Sequence, residues 1–181
     1  MDAMDAAFKN AGKKGQTIPV RCTRDLDQCD ALLLPGGEST TISKNLIRCG
    51  LFEKISSRIE QKDLPILGTC AGCVLLSSGV VDDAGVVSIF NAMDMKVQRN
   101  AFGGQCASFE QYVEVKGFEK PFPAVFIRAP VITEVWGNCK ALASLDEKRI
   151  IGARQGDLLA ISFHPELTSD DRFHQMLLEM I

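Results

Sequence analysis

Residues 65–76 read PILGTCAGCVLL, and this stretch decides the fold. A short apolar run from Pro65 passes through Gly68-x-Cys70-x-Gly72 into a second apolar run starting at Cys73. Small residues two before and two after a cysteine give the form of a nucleophile elbow. A strand enters a sharp turn, the nucleophile sits at its tip, and a helix leaves. The helix N-terminus beneath the sulfur favours thiolate over thiol. A free cysteine is most often a small buried core residue. The paired glycines, placed where a β run meets an apolar helix, move the reading to a nucleophile for acyl transfer.

Such a nucleophile needs a base and a group that orients the base. His164 is one of only two histidines and closes the apolar run Leu158 to Phe163 at an expected strand end. Glu166 lies two residues on, so in extended chain it shares the side of His164 and is placed to accept a hydrogen bond from the ring nitrogen turned away from Cys70. His174 falls within the polar–apolar pattern of the last expected helix, Asp170 to Met180, and reads as a solvated helix residue.

Composition bounds the rest. The chain has 181 residues, 46% of them hydrophobic, enough for one packed domain over 1–181 without disulfide staples. No low-complexity linker or internal repeat divides it. A net charge of −3 with both signs interspersed leaves no footprint for nucleic acid or an anionic membrane. The apolar runs fall short of a bilayer span, and the opening residues lack the pattern of a signal peptide, so a cytoplasmic protein is expected. Seven cysteines form an odd set without framework spacing, as in a reducing compartment. Cys70-x-x-Cys73 also describes a thioredoxin-type redox site. That alternative lacks the aromatic-Cys-Gly-Pro-Cys setting and leaves His164 and Glu166 without a task. A zinc site would need further ligands that no second cluster supplies. No metal or other cofactor is expected.

Along the chain, strands and helices alternate through the first half, the pattern of a parallel sheet covered by helices on both faces. A helix is expected over 2–13, short buried strands over 19–22 and 31–34, helices over 41–49 and 51–61, and a strand over 65–68. The second half carries β runs at 95–98, 109–115, 125–128, 150–154 and 158–163. A closing helix follows Thr168 to Asp170, whose polar side chains can cap it. Between the 31–34 strand and its helix stands Pro35-Gly36-Gly37-Glu38. Two adjacent glycines there can turn the backbone and present N–H groups to an anion, as an oxyanion hole does. The G-x-x-x-x-G-K-[ST] spacing of a phosphate loop is absent.

These residues together carry a resemblance. The segments PGGESTT (35–41), GTCAG (68–72), RNAFG (99–103), PFPAVFIRAP (121–130), RQG (154–156) and SFHPELT (162–168) resemble the PdxT/SNO family, the glutaminase subunits of pyridoxal 5'-phosphate synthase. The elbow and H-x-E alone indicate only the wider class I glutamine amidotransferases. The resemblance implies a flavodoxin-like three-layer α/β/α fold and hydrolysis of L-glutamine to glutamate and ammonia. It also implies a partner, a PdxS/SNZ-type synthase subunit in a large hetero-oligomer that takes the ammonia. Carried over residue by residue, Cys70 attacks the amide, His164 moves protons and Glu166 orients His164. The backbone at Gly37 and Ala71 forms the oxyanion hole, and Gly36, Gly37, Glu38, Arg99, Ile127 and Arg128 contact glutamine. On residue type alone, Arg99 and Arg128 would be surface ion-pair residues.

Two departures from the family stand out. Its members usually open with a β-strand and a leucine-glutamine-glycine turn, whereas this sequence starts inside the first helix, so the expected fold lacks that strand. A catalytically impaired subunit that docks without delivering ammonia is the resulting alternative, beside the redox reading. Gly104, Ala107 and Cys73 also stand where the family more often has arginine, aspartate and an apolar residue.

Overall fold

The computed structural model describes residues 2–81, 85–102 and 108–181. The expected differences at Gly104 and Ala107, with Gly103 of the RNAFG segment and Cys106, lie outside the described residues. The strands are β1 (Leu32–Leu34), β2 (Ile66–Thr69), β3 (Ser77–Val81), β4 (Met93–Gln98), β5 (Ser108–Val113), β6 (Phe122–Ile127), β7 (Val131–Val135), β8 (Lys140–Ser144), β9 (Ile150–Gln155) and β10 (Leu158–Ile161). The helices are α1 (Asp2–Asn10), α2 (Thr23–Leu26), α3 (Ser39–Arg48), α4 (Leu51–Gln61), α5 (Ala71–Leu76) and α6 (Arg172–Leu178), with a 3-10 turn at Pro165–Leu167.

The main sheet runs β1-β2-β10-β9-β7-β4-β3, with β8 added on β9. Among the described strands, β1, β2 and β10 form a parallel core, and β3 pairs parallel with β4 at the far end of the sheet. Between β10 and β4 the sheet turns antiparallel through β9 and β7, and no described helix lies between β4 and β10 to make a parallel crossover. Strand period sorts the core side chains into two layers. Leu32, Leu34 and Ile66 join Leu51, Ile55 and Leu75 under α3, α4 and α5. Leu67, Leu159 and Ile161 point the other way, to Met4, Ala7, Phe173 and Leu177 of α1 and α6. The antiparallel pair β5–β6 adds Phe122 and Phe126 to this second layer. The result is the three-layer α/β/α arrangement.

Three expectations are corrected. Residues 19–22 form no strand. The backbone N–H groups of Arg21 and Cys22 donate to the Asp25 carboxylate at 2.8 and 3.0 Å, which caps α2 and takes the donors a ladder would use. Among the described residues no strand precedes β1, and β1 is the edge of the sheet. The first helix stops at Asn10 because Gly12 turns the chain at φ +65°, not at Gly15. His174 is buried at 1% exposure, because the closing helix turns that face into the second layer. That helix begins at Arg172, whose N–H bonds the Asp170 carboxylate at 3.2 Å.

Glycine at 68 and 72 is required by the close approach of α5 to the strands. A Cβ on Gly72 would stand 2.2 Å from the Leu34 carbonyl oxygen, and one on Gly68 would stand 2.7 Å from Gly72 backbone. Backbone cannot yield as a side-chain tip can. Gly72→Ala is therefore expected to destabilise the fold by about 2 kcal/mol or more, measured by the denaturant midpoint with unchanged slope.

Candidate active site

The Pro65 to Leu76 stretch forms its elbow by forcing Cys70 into φ +49°, ψ −103°, a conformation rare for any residue with a side chain. The Cys70 N–H donates to the Ile161 carbonyl at 2.8 Å, fixing the turn to the neighbouring strand. Cys70 is 7% exposed, at the tip of β2 and at the N-terminus of α5. Its Sγ lies 4.0 Å from the Ile127 carbonyl oxygen at the end of β6. The N–H of Ala71 opens the helix, where first-turn donors have no acceptor within the helix.

His164 follows β10, and its backbone N–H donates to Val125 of β6 at 2.9 Å. Its Nδ1 is 2.7 Å from Glu166 Oε1, on the 3-10 turn. The ring and the Cys70 side chain meet over one glycine. A Cβ on Gly36 would meet His164 Cε1 at 2.3 Å and the Cys70 Cβ at 3.3 Å, so the two side chains converge on that glycine. The pKa of His164 is pushed up to about 9, first by hydrogen bonding to Cys70, then by Glu166, against the opposing effect of burial. Burial pushes the Glu166 carboxyl up, but its bonds from His164 and its own backbone N–H outweigh that and leave it lowered.

The Gly36-Gly37 turn faces the same cleft, which has a volume of about 430 Å³. Gly37 has φ +139°, open only to glycine. Glu38 does not reach freely into the cleft. It caps α3, accepting from the N–H groups of Thr40 and Thr41 at 2.9 and 2.7 Å and from Thr41 Oγ1 at 2.7 Å. These bonds, that of the Thr41 side chain foremost, pull its carboxyl down to about 2. Arg99 Nη2 lies 3.4 Å from Glu38 Oε1, and Arg128, held at φ +46°, lines the cleft with Ile127. Every residue the sequence singles out for the site thus borders one cleft or abuts its two central side chains. Asn100 and Pro130 also line it and were not singled out. The signal for Asn100, an asparagine beside Arg99 at φ +48°, is legible only once the turn is known. Among the described residues no group of three or more His, Cys, Asp or Glu side chains is placed to hold a metal.

The model of the SNO glutamine amidotransferase family matches residues 2–181. The "Pyridoxal 5'-phosphate synthase subunit PdxT" of Methanocella arvoryzae is 43% identical over 98% of this chain and 90% of its own length. That of Herpetosiphon aurantiacus is 49% identical over 90% of this chain and 86% of its own. A crystal structure of a glutamine amidotransferase superposes with TM-score 0.87 at 38% identity, covering 99% of this chain and 92% of that one. A glutamine amidotransferase from Thermotoga maritima, TM-score 0.61 at 14% identity over 98% of this chain and 84% of that one, shares the fold.

The raised His164 pKa links pH to stability. With a folded value near 9 against an ordinary 6.5, the stabilisation from His164 is complete below the ordinary value and is lost as pH rises through about 9. Denaturant unfolding of the intact protein should weaken across that window, and His164→Ala should flatten the decline. Gly36→Ala should displace the ring, and iodoacetamide should then alkylate Cys70 at least about tenfold more slowly with the fold retained.

Proposed function

The chain belongs to the SNO glutamine amidotransferase family, and we propose that it hydrolyses L-glutamine to glutamate and ammonia as the glutaminase subunit of pyridoxal 5'-phosphate synthase. The observation that carries the reading is the convergence of Cys70 and His164 on Gly36, with His164 Nδ1 2.7 Å from Glu166. In this reading the Cys70 sulfur attacks the side-chain amide carbon, and the charge that develops on the amide oxygen falls to the N–H groups of Gly37 and Ala71. Imidazolium at His164 gives a proton to the departing nitrogen, and ammonia leaves a thioester. His164 then takes a proton from water, the water oxygen attacks, and the thioester opens to glutamate and free Cys70. Glu166 orients the imidazole throughout. Atoms balance as glutamine plus water to glutamate plus ammonia.

An amino-acid substrate needs anchors for both charged ends. Glu38 stays ionised at neutral pH and suits the ammonium, while the Arg99 and Arg128 guanidinium groups suit the carboxylate. Gly36 and Ile127 shape the wall, and the cleft volume falls in the range of small-ligand sites. Ammonia has to pass to a second subunit in which it is consumed. The relatives' printed name supports a pyridoxal 5'-phosphate synthase assembly as that partner, and we extend this to a hetero-oligomer in the cytoplasm, with residues 1–181 acting as one domain. The dithiol alternative is disfavoured by Cys73, which is fully buried and whose thiol burial pushes far up, so no second thiolate is available for exchange.

Glutamate release in the presence of the synthase subunit tests the reading. Cys70→Ser should abolish turnover, while Cys73→Ser keeps most of it; equal losses would favour the dithiol site. Glu166→Gln should lower kcat with KM little changed, and Arg99→Ala should raise KM about tenfold or more, because one acts on His164 and the other on substrate. A Glu166→Gln variant that altered KM alone would break the triad assignment.

A further inference from the structure

The Glu38 carboxylate is held by more than the capping of α3 requires. The N–H groups of Thr40 and Thr41 donate to Oε1 at 2.9 Å and to Oε2 at 2.7 Å, and these two bonds already satisfy two donors of the first helical turn. The Thr41 hydroxyl adds a further bond, to Oε2 at 2.7 Å. Of the influences that lower the Glu38 carboxyl, this hydroxyl is the largest, ahead of the Thr40 N–H.

The two oxygens are engaged unequally. Oε2 accepts twice from Thr41, which fills its two lone-pair directions. Oε1 accepts from the Thr40 N–H, and Arg99 Nη2 stands 3.4 Å from it, longer than an ordinary N–H···O bond. Oε1 is therefore the oxygen with capacity left for a donor in the cleft. Glu38 and Arg99 both line that cleft, whereas Thr41 is not part of its wall. Thr41 thus acts on a ligand only through Glu38. An α-amino acid carries its ammonium and carboxylate on one carbon, so the adjacent Glu38 and Arg99 meet the two together.

We propose that Thr41 is a positioning residue that makes the cleft select ligands with a free α-ammonium: its hydroxyl and N–H hold Oε2 from behind, which presents Oε1 to the ammonium beside Arg99. The inference rests on the glutaminase reading, in which that ammonium belongs to glutamine. A glutamate side chain has three torsions to order, and a carboxylate already pinned through one oxygen needs little further ordering when the ligand arrives. Glutamine within a peptide, or a carboxamide acid without the amino group, lacks the cation and gains nothing from Thr41.

The test measures binding to the full chain with its synthase subunit, in a Cys70→Ser background so that the amide persists. The probes are L-glutamine and glutaramate, the same carboxamide acid without its α-ammonium. Thr41→Val keeps the branched shape and the N–H and removes the hydroxyl. It should weaken L-glutamine about fivefold, the effect of one hydrogen bond lost at a charged group, and leave glutaramate within about twofold. Thr41→Ser restores a hydroxyl and should bring glutamine back to within about twofold of the parent. Thr41→Ala should repeat the Val result, so the comparison stands even if the Val variant does not fold. With Cys70 intact, loss of the hydroxyl should raise KM and leave kcat little changed. In the chain without ligand, carbon-13 NMR should show the Glu38 carboxyl beginning to protonate at a higher pH in the Val variant, because a donor to its charged form is gone. Equal weakening of both probes would mark a general structural loss and overturn the proposal. So would unchanged glutamine binding, an unmoved Glu38 titration, or a Ser variant no better than Val and Ala. Absence of glutamate release by the unsubstituted protein with its synthase would instead sink the glutaminase reading, and the Glu38 titration would still decide whether Thr41 holds the carboxylate.

Discussion

The close contact between the backbone of α5 and the strands beneath it governs this molecule. With no Cβ at Gly68 and Gly72, the helix settles against Leu34 of β1 and against β2 itself. That approach leaves the chain too little length for a relaxed turn, and Cys70 takes up the difference at φ +49°. Strain at one residue of a buried turn costs on the order of 1–3 kcal/mol and persists only where its surroundings over-determine it. Here they do. The Cys70 N–H is fixed to Ile161, and α5 has all its residues from Ala71 to Leu76 buried. The packing that stabilises the domain is therefore also what holds the sulfur out at the strand tip.

The same economy of space places the base. Gly36 comes after β1, Cys70 after β2 and His164 after β10, three neighbouring strands that run parallel. Their C-terminal ends lie side by side, so three loops far apart in sequence meet at one rim, the usual location of a site in a parallel sheet. The absence of a side chain at Gly36 lets imidazole and thiol approach. Once they do, hydrogen bonding to Cys70 favours the charged form of the imidazole. The high His164 pKa is a consequence of this geometry, with Glu166 adding to it from the far side of the ring.

How far the sequence discloses all this varies with the range of the interaction. The elbow was legible because its requirements are local: two glycines and a cysteine at fixed spacing, between two apolar runs. The relation of His164 to Glu166 was legible for the same reason. Strands β7 and β8 were missed, since Val131–Val135 and Lys140–Ser144 are short and sit at the less regular antiparallel side of the sheet, where register shifts break the alternation. The 19–22 segment looked like a strand by composition and lost its ladder donors to Asp25, a competition that propensity does not reveal. His174 was misread because a helix of seven residues gives too few turns for its buried face to show, and one polar residue on that face mimics solvation.

The antiparallel half of the chain has a task of its own, which follows from how β6 is held. Val125 accepts the backbone N–H of His164, and Ile127 and Arg128 follow directly in the cleft wall. Any drift of β6 would move base and wall together. Phe122 and Phe126 of β6 sit in an aromatic cluster with Phe163 and Phe173, with ring centroids 4.9–5.6 Å apart. Arg172 closes the cluster from outside. Its guanidinium lies 4.5 Å from the centre of the Phe118 ring, bonds the carbonyls of Lys120 and Pro121, and is paired to Asp170. Arginine suits this position because its planar fork can stack on a ring and donate along its edge at once, which an ammonium cannot do. The start of β6 is thereby tied to α6, and α6 to β2, whose tip carries Cys70. Nucleophile and base are thus referred to the same helix by two routes, one through the parallel strands and one through the phenylalanine layer, so that their separation does not depend on the exposed loops between them.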